Sequence, residues 1–207
     1  MTNPTPLRWG QIYHIQARGQ DGGDVFFEDR TYAHFMRLYA KCVGLVADTY
    51  AYCLLPDHLH LLIRVRTRAE TPAISENPRA PKDLRPSDLV SILLNAYTQA
   101  INKAYDRTSE LFQQPFGRVE IRSDVHLVHL VTHIHQNPEK HGLVADFRTW
   151  PHSSYHALLS ESSTQVKRRE VLAWFDGPAH FQRFHEYPVI EPLIEDLVAG
   201  DPSLKDP

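Results

Sequence analysis

The chain has 207 residues, 42% of them hydrophobic, enough for one domain with a real core or one domain plus appendages. It has no run of about 18 apolar residues, which excludes a membrane-spanning helix, and the polar stretch from Met1 to Arg8 lacks the apolar centre of a signal peptide, so the expected compartment is the cytoplasm. The net charge of −3 excludes a global attraction to polyanions; six acids (Glu186, Glu191, Glu195, Asp196, Asp201, Asp206) against Lys205 weight the tail, and the remainder holds 21 Lys and Arg against 19 Asp and Glu.

Residues 11–18 read as a first strand, with Ile12, Tyr13 and Ile15 among polar residues and Gly19, Gly22 and Gly23 beyond it. Phe26 and Phe27 begin a short return segment. Asp29 is placed to cap a helix over residues 30–44, whose Phe35, Leu38, Tyr39 and Cys42 recur at three- and four-residue steps. Residues 46–55 and 58–65 read as a hairpin turned by Pro56-Asp57. Residues 67–86, with Pro72, Pro78, Pro81 and Pro86 and little apolar mass, read as a proline-rich loop or linker.

Ser87 is placed to cap a helix over 87–105, striped by Leu89, Ile92, Leu93, Ala96, Tyr97, Ala100 and Ile101. A loop then leads to a short strand at 118–121. Asp124 is placed to cap a helix over 125–136, expected to end at Asn137-Pro138 because proline disfavours helix at the residue before it. Residues 155–159, 169–175 and 179–185 read as short helices. The order strand, helix, two strands, helix, strand, helix predicts an α+β domain: an antiparallel sheet with helices on its faces. Cys42 and Cys53 have no paired ligand spacing and read as reduced core thiols.

Thirteen histidines would give a His-x-His triplet by chance roughly once, and the chain has two, so the spacing alone decides nothing. Secondary structure separates them. On a strand, His58 and His60 leave by the same face, about 7 Å apart along the strand. They are either a metal-binding pair or ordinary polar-face residues of a sheet. On a helix His133 and His135 point apart, while His129, His133 and Asn137 line one face. An imidazole pair suits several divalent metals, and without cysteine nearby a structural zinc site is disfavoured. Asn137 offers a carbonyl oxygen acceptable to Mg2+ or Mn2+. Arg64, Arg66 and Arg68, then Arg118 and Arg122, are either phosphate contacts or solvated strand and loop edges.

Several segments, taken in order, carry a resemblance. Tyr50-Ala-Tyr-Cys-Leu-Leu-Pro-Asp-His-Leu-His-Leu-Leu-Ile63 resembles the His-hydrophobic-His (HUH) region of single-tyrosine transposases, and within them the REP-associated tyrosine transposases. The likeness continues through Leu94-Asn-Ala-Tyr-Thr98, Asn102-Lys-Ala-Tyr105 and Leu111-Phe-Gln113. It is strongest again in His133-Ile-His-Gln-Asn-Pro138, His141-Gly-Leu-Val144 and Trp150-Pro-His-Ser-Ser-Tyr155. It covers residues 8–160 as one HUH transposase-like domain, leaving 161–207 as a helical extension and acidic tail.

The resemblance implies a ferredoxin-like fold with both histidines on a central strand. It implies Mg2+ or Mn2+ held by His58, His60 and Asn137, single-stranded or hairpin DNA as partner, and DNA transposition by metal-assisted phosphodiester transesterification. Under it Arg64, Arg66, Arg118 and Arg122 become DNA-contact candidates that neutralise phosphate, Tyr97 and Tyr105 stay packing residues, and the long extension favours a monomer over a homodimer. One position departs from the pattern. The nucleophilic tyrosine stands four residues before the Asn, and here that residue is His133, with no tyrosine between Tyr105 and Tyr155. Whether the chain is an enzyme therefore turns on three alternatives: cleavage is lost and DNA-hairpin binding is retained, His133 is itself the nucleophile, or water is activated with His133 as general base. A small-molecule hydrolase would share the histidine pair but not the ordered segments.

Overall fold

The computed structural model describes residues 6–71 and 85–198; Pro72, Pro78 and Pro81 of the expected linker, and Asp201, Lys205 and Asp206 of the tail, lie outside them. Strand β1 (Ile12–Arg18), helix α1 (Asp29–Cys42), strands β2 (Ala47–Leu54) and β3 (His58–Val65), helix α2 (Pro86–Ala104) and strand β4 (Gly117–Ile121) follow one another as βαββαβ. The four strands pair antiparallel in the order β2-β3-β1-β4, the ferredoxin-like arrangement. Helix α3 (Asp124–Lys140) follows, then the short helices α4 (Tyr155–Leu159), α5 (Arg168–Trp174), α6 (Pro178–Phe184) and α7 (Glu195–Val198). No helix among the described residues is long and apolar enough to cross a membrane.

Directly opposed residues of an antiparallel pair share a face, so the register divides the sheet. Tyr13, Ile15 and Ala17 of β1 oppose Ile63, Leu61 and Leu59 of β3. This face is buried with Phe35 and Tyr39 of α1 and Leu93 and Tyr97 of α2. The other face carries His14, Gln16 and Arg18 opposite Leu62, His60 and His58. Its apolar part, Ala51, Cys53 and Leu62, packs in one cluster with Leu130 and Ile134 of α3 and Val171, Phe175, Phe181, Ile194 and Val198 from beyond residue 160. The C-terminal helices thus share a core with the sheet. Both cysteines are free, and burial pushes the Cys53 thiol well up, as expected of a core thiol.

Helix starts differ from expectation by a residue or two. Glu28, not Asp29, caps α1, with Thr31 completing a reciprocal capping box. Arg85 caps α2 with Pro86 in the first turn, so Pro86 belongs to the helix and not to the linker. Ser123 is the cap of α3, and Asp124 lies in its first turn.

The end of α3 is a larger correction. The helix does not stop at Asn137-Pro138 but continues to Lys140. Pro138 lies near the C-terminus, where its missing N–H removes a single intrahelical bond. The chain then closes regularly, with His141 N–H donating to the Asn137 carbonyl at 2.9 Å and Leu143 N–H to that of Pro138 at 2.9 Å. Burial of every residue from Leu130 to Pro138 holds the turn in place.

Asp48 on β2 is 1% exposed and receives three cations: Arg64 at 2.5 Å, Arg66 at 2.8 Å and Lys167 at 3.0 Å. Burial pushes its carboxyl up, but hydrogen bonds from Arg66, Lys167 and Arg64 outweigh that and hold it below the usual carboxylate range. The three cations are partly solvated, so Asp48→Asn should cost about 2 kcal/mol at neutral pH, less than breaking a fully buried pair. Urea unfolding checks this; an unchanged midpoint would make the cluster ornamental to stability.

Candidate functional site

The site lies where the first half of β3 meets the last turns of α3. His58 and His60 are 1% and 0% exposed, with ring centroids 5.1 Å apart. Gly19 fixes the turn that leads into them: its N–H donates to the Asp57 carbonyl at 2.7 Å, and a Cβ there would sit 1.8 Å from the Gly23 carbonyl oxygen. Only glycine allows that approach.

The protons on the two imidazoles follow from their partners. Asp57 Oδ1 accepts from His58 Nδ1 at 2.7 Å, and this bond holds the Asp57 carboxyl below its ordinary range. A neutral His58 then has its lone pair on Nε2. That atom is buried and meets no hydrogen-bond partner among the described residues. His60 Nδ1 faces His14 Nε2 at 3.0 Å, and His14 Nδ1 faces the Leu197 carbonyl at 2.8 Å. A carbonyl only accepts, so a neutral His14 donates from Nδ1 and accepts at Nε2. His60 therefore donates from Nδ1, which leaves its Nε2 as the lone-pair nitrogen.

Helix α3 supplies the facing wall. The His133 ring lies 6.0 Å from that of His60, and His141, two turns on, lies 4.7 Å from that of His58. Asn137 falls in the turn between and is fully buried. Its Nδ2 donates to the His133 carbonyl at 3.1 Å, which leaves Oδ1 without a hydrogen-bond partner among the described residues. Two imidazole nitrogens and an amide oxygen thus present lone pairs from buried positions. A buried acceptor left unfilled costs about 1–3 kcal/mol, and a divalent cation is the chemistry such a set fits. Among the described residues no three His, Cys, Asp or Glu side chains form a cation site.

Of the helix face expected to hold His129, His133 and Asn137, the last two reach the site and His129 does not; it packs against Phe184 at 5.3 Å. His135 points away, to Ser154 and His185. The His58 ring contacts those of His60 and His141, and the His60 ring those of His14 and His133. Tyr155 packs on Phe147 and Phe181.

The arginine candidates disperse. Arg64 and Arg66 are joined to Asp48, and Arg64 also to Glu70. Arg118 opposes Ile15 on the other face of the sheet, stacked 3.8 Å from the Phe116 ring centroid; burial lowers its pKa. Arg122 pairs with Glu120.

Sequence reasoning missed four residues. His14 stands behind His60, His141 touches His58, and Gln16 and Arg18 oppose His60 and His58 on the same face. The Gln16 Nε2 donor is buried without a hydrogen-bond partner among the described residues. His141 was within reach of reasoning, since it continues the four-residue spacing of His133 and Asn137. His14, Gln16 and Arg18 required the β1–β3 register.

A Haemophilus influenzae protein assigned to the REP-associated tyrosine transposases is 30% identical over 156 residues, which is 65% of this chain and 81% of that protein. The solved structure of a REP-associated tyrosine transposase bound to a REP hairpin matches with a TM-score of 0.57 and 16% identity, covering 78% of this chain and 86% of that one. No family model matches the chain.

Proposed function

Because this chain belongs to the REP-associated tyrosine transposase family, we propose that it binds single-stranded or hairpin DNA at the His58–His60–Asn137 site and has lost the tyrosine step of cleavage. One observation carries this reading: His58 Nε2 and Asn137 Oδ1 are buried without a hydrogen-bond partner among the described residues, on a strand and a helix that meet through His60–His133 and His58–His141, while the attack position holds His133. His58 Nε2, His60 Nε2 and Asn137 Oδ1 would hold Mg2+ or Mn2+, which when bound supplies charge stabilisation to a phosphodiester oxygen. Asp57 and the Asn137–His133 bond orient two of these ligands. Gln16 and Arg18 stand one strand away with a donor and a charge for the phosphate. The arginines bound to Asp48 are weaker candidates than the sequence alone suggests, and so are Arg118, stacked on Phe116, and Arg122, paired with Glu120. The apolar faces of α5 and α6 are spent in the chain's own core, through Val171 and Phe181, which favours a monomer.

The test uses a hairpin from the genomic flank with a single-stranded arm, with and without Mn2+. Metal-dependent binding and no SDS-resistant protein–DNA product are expected. Failure to bind would end the DNA reading, and a covalent product from the unaltered protein would end the claim of lost cleavage. In that event a dependence on His133 would favour an imidazole nucleophile, for which its place beside His60 is the supporting observation. Arg18→Ala should weaken binding to all sequences alike and reduce the slope of log affinity against log salt by about 1. An unchanged slope would remove Arg18 from the phosphate path.

A further inference from the structure

We infer that His14 is a positioning residue for the candidate metal centre, and that the backbone of the C-terminal helix α7 sets it. The inference rests on the metal reading of His58, His60 and Asn137. It concerns a device outside the ligand set: a buried relay from the Leu197 carbonyl, through both nitrogens of His14, to Nδ1 of His60.

Four features make the contact a relay. Both links are at hydrogen-bond distance, 2.8 Å and 3.0 Å. The two rings stack with centroids 5.2 Å apart and planes within 9°, so the pair has one defined orientation. His14 and His60 are 1% and 0% exposed, so water does not compete for these bonds. The end of the relay is a backbone carbonyl, which cannot donate, so His14 donates from Nδ1 and, as a neutral ring, accepts from His60 at Nε2.

The chemical consequence is specific. An isolated imidazole divides its proton between two nitrogens, and a metal can take only the bare one. His14 holds the His60 proton on Nδ1 and presents Nε2 toward His58 and α3. Asp57 does the same for His58 through a carboxylate. The two ligands are thus oriented by different means: one by an acid adjacent in sequence, the other by a histidine on the neighbouring strand that answers to the far end of the described chain.

The relay can be read in the full-length protein without turnover. Long-range proton–nitrogen correlation spectra of histidine-labelled protein report which nitrogen of each ring carries the proton, and Mn2+ titration followed by electron paramagnetic resonance reports affinity. The metal-free protein should show His14 and His60 both protonated on Nδ1. His14→Leu should leave His60 in a mixture of tautomers and weaken Mn2+ binding by about 10–100-fold, the usual cost of losing an outer partner of a metal-bound histidine. His14→Gln should rescue both, because its amide can donate to the Leu197 carbonyl and accept from His60.

A His60 proton on Nε2 in the unaltered protein would overturn the relay, whether or not the leucine variant folds. So would undiminished Mn2+ affinity in a folded His14→Leu protein, or a glutamine variant as poor as the leucine one. If the unaltered protein shows the expected tautomers but binds no Mn2+, the metal reading fails while the relay stands. If Mn2+ binds and depends on His58 but not on His14, the relay fails alone.

Discussion

If the protein holds hairpin DNA without cleaving it, as proposed, His133→Tyr is expected to convert it into one that joins itself to the strand. The tyrosine oxygen would attack the phosphorus, form a bond to the 5′ phosphate and release the 3′ oxygen, which takes up a proton as the hydroxyl. A covalent species visible on denaturing gels should rise at least roughly a hundredfold above the unaltered protein, since a missing nucleophile is the largest single loss such a site can suffer. It should vanish again in His133→Tyr/His58→Ala. His133 is fully buried, so the larger ring must be accommodated at about 1–3 kcal/mol; thermal unfolding of the variant controls for this. A folded variant that binds DNA and Mn2+ yet forms no adduct would show that the site has diverged beyond its nucleophile.

The second large effect concerns acid. His135 Nδ1 donates to His185 Nε2 at 2.9 Å, and His185 Nδ1 donates to the Phe181 carbonyl at 2.8 Å. Both rings are neutral and enclosed by Tyr155 and Phe181. Burial lowers the His185 pKa to about 4 and pushes that of His135 well below the ordinary histidine value, with the His185 charge acting in the same direction. Unfolded, both would titrate near 6.5. Between about 4 and 6.5 the unfolded chain binds protons that the folded chain refuses, so stability is complete above 6.5 and falls as pH falls.

From pH 7.5 to pH 5, His185 alone should remove about 2 kcal/mol, and His135 adds to it. His135→Leu/His185→Leu leaves no orphaned partner between the two rings and should flatten that dependence. Urea midpoints at the two pH values decide the matter, and equal slopes in the two proteins would refute it. The clasp joins α3 to α6, so the loss should appear first as detachment of the C-terminal helices.

Much of the fold was legible in the sequence because its signals are local. The alternation of Leu59, Leu61 and Ile63 with His58, His60 and Leu62 placed β3 to the residue, and the stripe from Leu93 to Ile101 marked α2. Periodicity needs no knowledge of what packs on it. The rule that failed at Pro138 is also local, and it lost to burial of the helix against the sheet. Half of the candidate site was legible too: His58 and His60 by strand parity, and Asn137 by the family resemblance of its segment. The other half depends on pairings that no local pattern encodes. His14 looked like one polar residue of a strand until the register set Gln16 against His60 and brought His14 beside it. Arg64 and Arg66 read as available charge because the acid that takes them, Asp48, lies on the adjoining strand.

The bond between His14 and Leu197 spans 183 positions of the chain. A domain emerges from the ribosome amino end first and can begin to fold as it does. The sheet and both histidines of β3 are made well before the Leu197 carbonyl on which the proposed relay depends. A growing polypeptide would therefore carry the two histidines without the partner that sets His60 until residue 197 has been made. On the proposed metal reading, competence for metal would await residue 197, and a product broken off before it would lack both the relay and part of the core that the C-terminal helices share with the sheet.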